Sequence, residues 1–163
     1  MRARESSDLL PAWVSVLCAL ALAIIPLPSL ISAFRPDWVV LVMIYWSLMT
    51  PGRLGLFSAF FLGLLLDTLS GALLGQHALA LLVVSYVVQR FHLRIRVFPI
   101  WQMSMTVLAL LAIYQFLLFW VDGVAGRTVT TAERWAPVMI GAALWPLILL
   151  LLENIREDVS ARV

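Results

Sequence analysis

Charge reaches this chain in islands, and the segments between them are nearly continuous hydrocarbon. Arg, Asp, Glu, Pro and Gly gather in short stretches, separated by long apolar runs. Hydrophobic residues make up 63% of the sequence, charged residues 12%, and the mean hydropathy is +1.02. Such a chain has too little polar surface to be wetted, so its solvent is the bilayer. A spanning helix needs about 20 apolar residues. The 163 residues therefore hold roughly six spans with short connections, and no water-soluble domain beside them.

All 11 cationic side chains are arginine. A sequence pI of about 9.2 with a net charge of only +2 does not point to nucleic acid. The arginines stand at the ends of apolar runs, where cations fix topology. Cys18, the one cysteine, excludes an internal disulfide and a cysteine-rich metal site. Inside its apolar run it reads as a small packing residue. P-loop, HExxH and GxSxG strings are absent from the sequence, as is a paired set of intramembrane carboxylates. No catalytic residues, cofactor or metal are expected, because hydrophobic bulk supplies neither nucleophile nor general base.

The pattern predicts an all-α, polytopic membrane protein with six transmembrane helices in one domain, near residues 9–28, 37–50, 52–70, 76–92, 99–122 and 134–155. The N-terminus has the positive start of a signal peptide but no small-x-small cleavage site, so it reads as a retained first helix. Pro26, Pro28 and Pro36 break or bend the chain after it. Leu30–Phe34 either extends the first span past a kink or lies in the interface. The second helix is short: Trp38–Thr50 is roughly 20 Å of helix, the length of a half-spanning segment. Charge parity argues for a full crossing. With six passes, Arg2, Arg4, Arg53, Arg90, Arg94, Arg96, Arg156 and Arg162 share one side, against Arg35, Arg127 and Arg134. Without the second pass the heavy group would face outward, which the positive-inside rule rejects. Both termini are therefore expected in the cytoplasm. Trp13, Trp38, Trp101, Trp120 and Trp135 fall near helix ends, at headgroup depth. Pro146 is expected to kink the last helix.

Few residues are equipped for chemistry. Gly55, Ala59, Gly63, Asp67 and Gly71 recur every four residues on the third helix. Small residues at that spacing admit a second helix closely, so this stripe is a candidate packing or partner face. Asp67 shares it and must have a partner or a wet setting, since a carboxylate at membrane depth costs a few kcal/mol. It would cap the turn Thr68–Gly71, pair with Arg35, His77 or Arg127, or contact a ligand. His77 reads as a hydrogen-bonded histidine at a helix start, and His92 as a surface or headgroup contact. Arg90, Arg94 and Arg96 form the densest basic cluster, a topology and lipid contact or a docking site for an acidic cytoplasmic partner. Gln102, Thr106, Tyr114 and Gln115 suggest interhelical hydrogen bonds in the fifth helix, or the lining of a small cavity.

Three strings carry a resemblance. FRPDWVVLVMIYW at Phe34–Trp46, PGRLG at Pro51–Gly55, and the run from Gly63 through Asp67 and Ser70–Gly71 to Gly75 resemble the rod shape-determining protein MreD family. Chain length, element order and the late Leu144-Trp145-Pro146 agree, so the resemblance covers nearly the whole chain. Phe-Arg-Pro-x-Trp and Leu-Asp-x-x-Ser-Gly are its specific parts. Arg35, Pro36, Trp38, Asp67, Ser70 and Gly71 match that signature, with no catalytic set to carry over. The resemblance implies a non-enzymatic inner-membrane subunit of the bacterial cell-elongation machinery. Its implied partners are membrane lipids, MreC and, indirectly, MreB filaments, RodA and a penicillin-binding transpeptidase. The implied fold is similar to the six-helix substrate-binding subunits of energy-coupling-factor transporters. That likeness leaves a second function open, a small-solute or lipid-binding transporter subunit. Asp67, His77 and Gln102 would then line an outward cavity, gated by the fifth helix and the loop Asp122–Arg134.

Overall fold

The structure is a computed structural model and describes residues 9–25, 34–51, 55–127 and 131–161. Its regular elements are helices: α1 (Leu9–Ile24), α2 (Trp38–Met49), α3 (Leu56–Ser70), α4 (Gln76–Ile95), α5 (Ile100–Val124) and α6 (Thr131–Ala161). Among the described residues, three segments are long and apolar enough to cross a membrane, namely α4, α5 and Arg134–Glu157 of α6. The other three helices are apolar but shorter. Pro26, Pro28, residues 30–33, Arg2, Arg4, Arg53 and Arg162 lie outside the described residues. Phe34 stands in a turn before α2. α4 runs on to Ile95, which brings His92 and Arg94 into its last turn, where cations oppose the negative end of the helix.

The short helix is the centre of the molecule. Val39 to Leu48 are buried without interruption. A helix apolar on every side suits lipid or a protein core, and here it is covered by protein. α1, α4 and α6 pack around α2 and provide that cover. At its C-terminal end the Thr50 N–H donates to the Trp46 carbonyl at 2.8 Å, and Arg96 Nη2 donates to the Met49 carbonyl at 3.2 Å. Trp46, fully buried, donates from Nε1 to Ser15 Oγ at 2.8 Å and so pins α1 on α2. Trp145 is likewise fully buried, whereas Trp13, Trp101, Trp120 and Trp135 are exposed as expected of interfacial rings.

Close approach is used twice. A Cβ added at Gly63 would lie 2.2 Å from the Ala78 Cα and 2.5 Å from its nitrogen, so the α3 and α4 backbones touch there. A Cβ at Gly141 of α6 would meet Leu111 Cδ1 at 2.7 Å, a contact with a flexible side chain of α5. Outside this core the bundle shows Phe57, Phe61, Phe116, Leu147 and Leu151 to its surroundings. So much exposed aromatic and aliphatic surface suits hydrocarbon and not water.

Candidate functional site

Asp67 organises one end of the bundle. Its main-chain carbonyl accepts from the N–H groups of Gly71 and Ala72, ending α3. Gly71 turns there at φ 64, a left-handed conformation that glycine adopts without cost. The Asp67 carboxylate then starts α4. Oδ2 accepts from the Gly75 N–H at 2.8 Å, and Oδ1 accepts from the His77 N–H at 2.8 Å. Gly75, at φ 97, has no side chain to cap the helix, so the cap comes from across the turn. His77 Nδ1 lies 2.8 Å from the same Oδ1. Both oxygens accept, so the side chain is satisfied although the residue is only 1% exposed. Of the roles open to Asp67 from sequence, the geometry contains the pairing with His77; its carboxylate caps the start of α4 and not the turn Thr68–Gly71.

Held this way, His77 faces a half-open cavity of about 120 Å³. Arg35, Asp37, Ser70, His77 and Tyr114 give it a polar lining, and Pro36 and Trp38 close one wall. Arg35 Nη2 is buried without a hydrogen-bond partner. Asp37 Oδ2 accepts from Gln115 Nε2 of α5 at 2.9 Å. The His77 and Tyr114 rings stand 6.2 Å apart. The two specific strings of the sequence thus converge. Phe-Arg-Pro-x-Trp contributes Arg35, Pro36 and Trp38 to this pocket, and Leu-Asp-x-x-Ser-Gly contributes Ser70, with Asp67 one layer behind.

A second clip lies at the same end. Asp122 of α5 accepts from Gln76 Nε2 of α4 at 2.9 Å through Oδ1, and from Arg134 of α6 through Oδ2. The Arg134 guanidinium also lies 5.8 Å from the centre of the Phe119 ring. Three helices are tied by one carboxylate. Asp122 and Arg134 therefore fasten the ends of α5 and α6 to each other.

The other sequence-derived sites are spread over the bundle. Ala59, Gly63 and Asp67 of the small-residue stripe are buried against α4, while an added Cβ at Gly55 or Gly71 would meet nothing within 4 Å. The stripe is an intramolecular packing face centred on Gly63. Gln102 sits in the first turn of α5, roughly 18 Å along the helix from Tyr114. It does not join Asp67 and His77. Thr106 bonds back to the Gln102 carbonyl at 2.9 Å, within its own helix. Cys18 is exposed on α1 rather than packed. Arg90, Arg94 and Arg96 are exposed at the opposite end of the bundle, with Arg96 partly engaged by Met49. His92 Nδ1 bonds to the Gln89 carbonyl one turn back.

The Gln76–Asp122–Arg134 network is not legible in the sequence, because its members are 46 and 12 residues apart and each reads as a polar end of an apolar run. Asp37 does carry a sequence signal, which the motif reading misses: it occupies the open position of Phe-Arg-Pro-x-Trp.

A family model for the rod shape-determining protein MreD matches residues 8–155. The chain belongs to the MreD family. It is 31% identical over 155 residues to the rod shape-determining protein MreD of Haemophilus influenzae (strain ATCC 51907 / DSM 11121 / KW20 / Rd), covering 91% of this chain and 94% of that relative. No solved structure matches the chain. In this MreD family member the signature side chains are divided between a pocket wall (Arg35, Pro36, Trp38, Ser70) and the clip that builds it (Asp67, Gly71).

Proposed function

We infer that this MreD family member is a non-enzymatic scaffold of the cell-elongation machinery in the bacterial inner membrane. It crosses six times, keeps both termini in the cytoplasm, and offers apolar faces to the transmembrane helices of partners, MreC first among them. One observation carries this reading: its buried carboxylates are tied to its own helices. Asp67 holds α3 to α4, and Asp122 holds α4, α5 and α6 together. A rigid bundle with a lipid-facing surface can recognise other proteins within the bilayer by close packing and a few hydrogen bonds. The arginine distribution supports the orientation. Arg90, Arg94, Arg96 and Arg156 gather at one end, while Arg35, Arg127 and Arg134 lie toward the other.

The transporter-subunit reading is less well supported. A small-molecule site typically encloses about 300–1,000 Å³. The polar pocket holds about 120 Å³, and Gln102, which that reading needs, lies at the other end of α5.

Photocrosslinkers at Phe57, Phe61, Phe116 and Leu147, placed one at a time in living cells, are expected to capture MreC from at least one helix face. Absence of any wall-synthesis protein from all four positions would refute the scaffold. Cysteine at Ala125, in a Cys18→Ser background, is expected to react with an impermeant thiol reagent in intact cells. Reaction only after the inner membrane is opened would reverse the orientation.

A further inference from the structure

Alongside the polar pocket lies a second cavity of opposite character. It follows the seam between α1 and α6, with α2 as its floor, and holds about 260 Å³. Pro11, Cys18 and Leu22 form one wall, and Ile148, Leu151 and Ile155 the other. Trp38 lines both cavities, and Ala23 of the polar pocket follows Leu22 of the apolar one. The two adjoin at Trp38, the first polar at the end of the bundle and the second apolar along its length.

We propose that this compound cavity seats one bilayer phospholipid with a zwitterionic head, phosphatidylethanolamine. The head is fixed by charge. Arg35 Nη2 is a buried donor without a partner, and a phosphate oxygen answers it. Asp37 shares the pocket and accepts the ammonium. A purely anionic head would bring Asp37 no cation of its own and would have to share Arg35 with it. A purely cationic head would leave Arg35 unanswered.

The tail is fixed by dimensions. Pro11 to Leu22 is roughly 17 Å of helix, about the hydrocarbon depth of one leaflet. A volume of 260 Å³ along that length is a narrow channel, suited to one acyl chain with the second left in the bilayer. A partner helix, about 10–12 Å across, does not fit inside it. The seam is open because α1 and α6, the first and last helices, meet only lightly.

The test uses the full-length protein in nanodiscs. Phosphatidylethanolamine with a diazirine on its acyl chain is photolysed, and the adducts are mapped by mass spectrometry. Adducts are expected on the peptides holding Pro11–Leu22 and Ile148–Ile155. Native mass spectra of protein released into mild detergent are expected to show one retained phosphatidylethanolamine, preferred about tenfold over phosphatidylglycerol. Asp37→Asn is expected to remove that preference, and Arg35→Gln to weaken retention of both lipids. Cys18→Trp, which fills the groove from an exposed position, is expected to cut seam labelling about tenfold and leave the fold intact. Adducts spread evenly onto Phe57 and Phe116, equal retention of both lipids, or undiminished seam labelling in Cys18→Trp would each overturn the proposal. So would a polypeptide crosslinked along the groove in place of lipid.

Discussion

Gly63→Leu is expected to abolish accumulation of the folded protein. Its first added atom would overlap the α4 main chain, at 2.2 Å from Ala78 Cα and 2.8 Å from the His77 carbonyl carbon. Backbone cannot rotate aside as a side chain does. The helices must separate, and the Asp67 bonds to Gly75 and His77, one turn along the same face, must stretch with them. Overpacking a core costs about 1–3 kcal/mol where side chains yield, and more where they cannot. With the Asp67 bonds lost as well, the penalty approaches the roughly 5–15 kcal/mol that holds a typical domain together. Gly55→Ala, on the same stripe but facing open space, is expected to stay within about 1 kcal/mol of the parent. Membrane abundance and the elution profile after solubilisation measure both. Wild-type abundance and melting behaviour for Gly63→Leu would show that the helices do not meet there. The contrast also bears on function: loss of MreC recovery in Gly63→Leu would report a broken bundle and not a lost partner face.

Asp67→Ala is expected to lower thermal stability in detergent by the second-largest amount. Two main-chain N–H groups and the His77 ring lose their acceptor together, inside a buried site. Stranded buried donors cost about 1–3 kcal/mol each and do not add fully, so a loss of about 3 kcal/mol is expected, or roughly 6–12 °C in melting temperature. Asp67→Asn keeps one carbonyl oxygen for His77 but turns an NH₂ toward the Gly75 N–H, so it should fall between parent and Ala. His77→Ala removes one bond of the set and should cost least. An unchanged melting temperature in Asp67→Ala would show that the carboxylate does not fasten the α3–α4 turn.

Much of this protein is fixed by local pattern. Apolar run length sets the helices, and Pro and Gly punctuate them. The glycine stripe every four residues announces a close helix contact, because periodicity along one helix is a local property. The wide spacing of charge identifies hydrocarbon as solvent. The signature strings could be read without coordinates, since each is contiguous in the chain.

What tertiary structure alone decided is which distant residues meet. No local rule says that the shortest apolar helix is the buried centre: α2 is covered by α1, α4 and α6, although its apolar surface would suit lipid equally. Nor does spacing reveal that Asp37 pairs with Gln115, 78 residues away, or that Asp122 joins Gln76 and Arg134. Gln102 and Tyr114 share a helix and a polar character, yet about three turns separate them and only Tyr114 reaches the pocket. A polar residue's partner depends on where helices cross, which packing geometry sets over the whole bundle. Residue type fixes only that a buried group must find one.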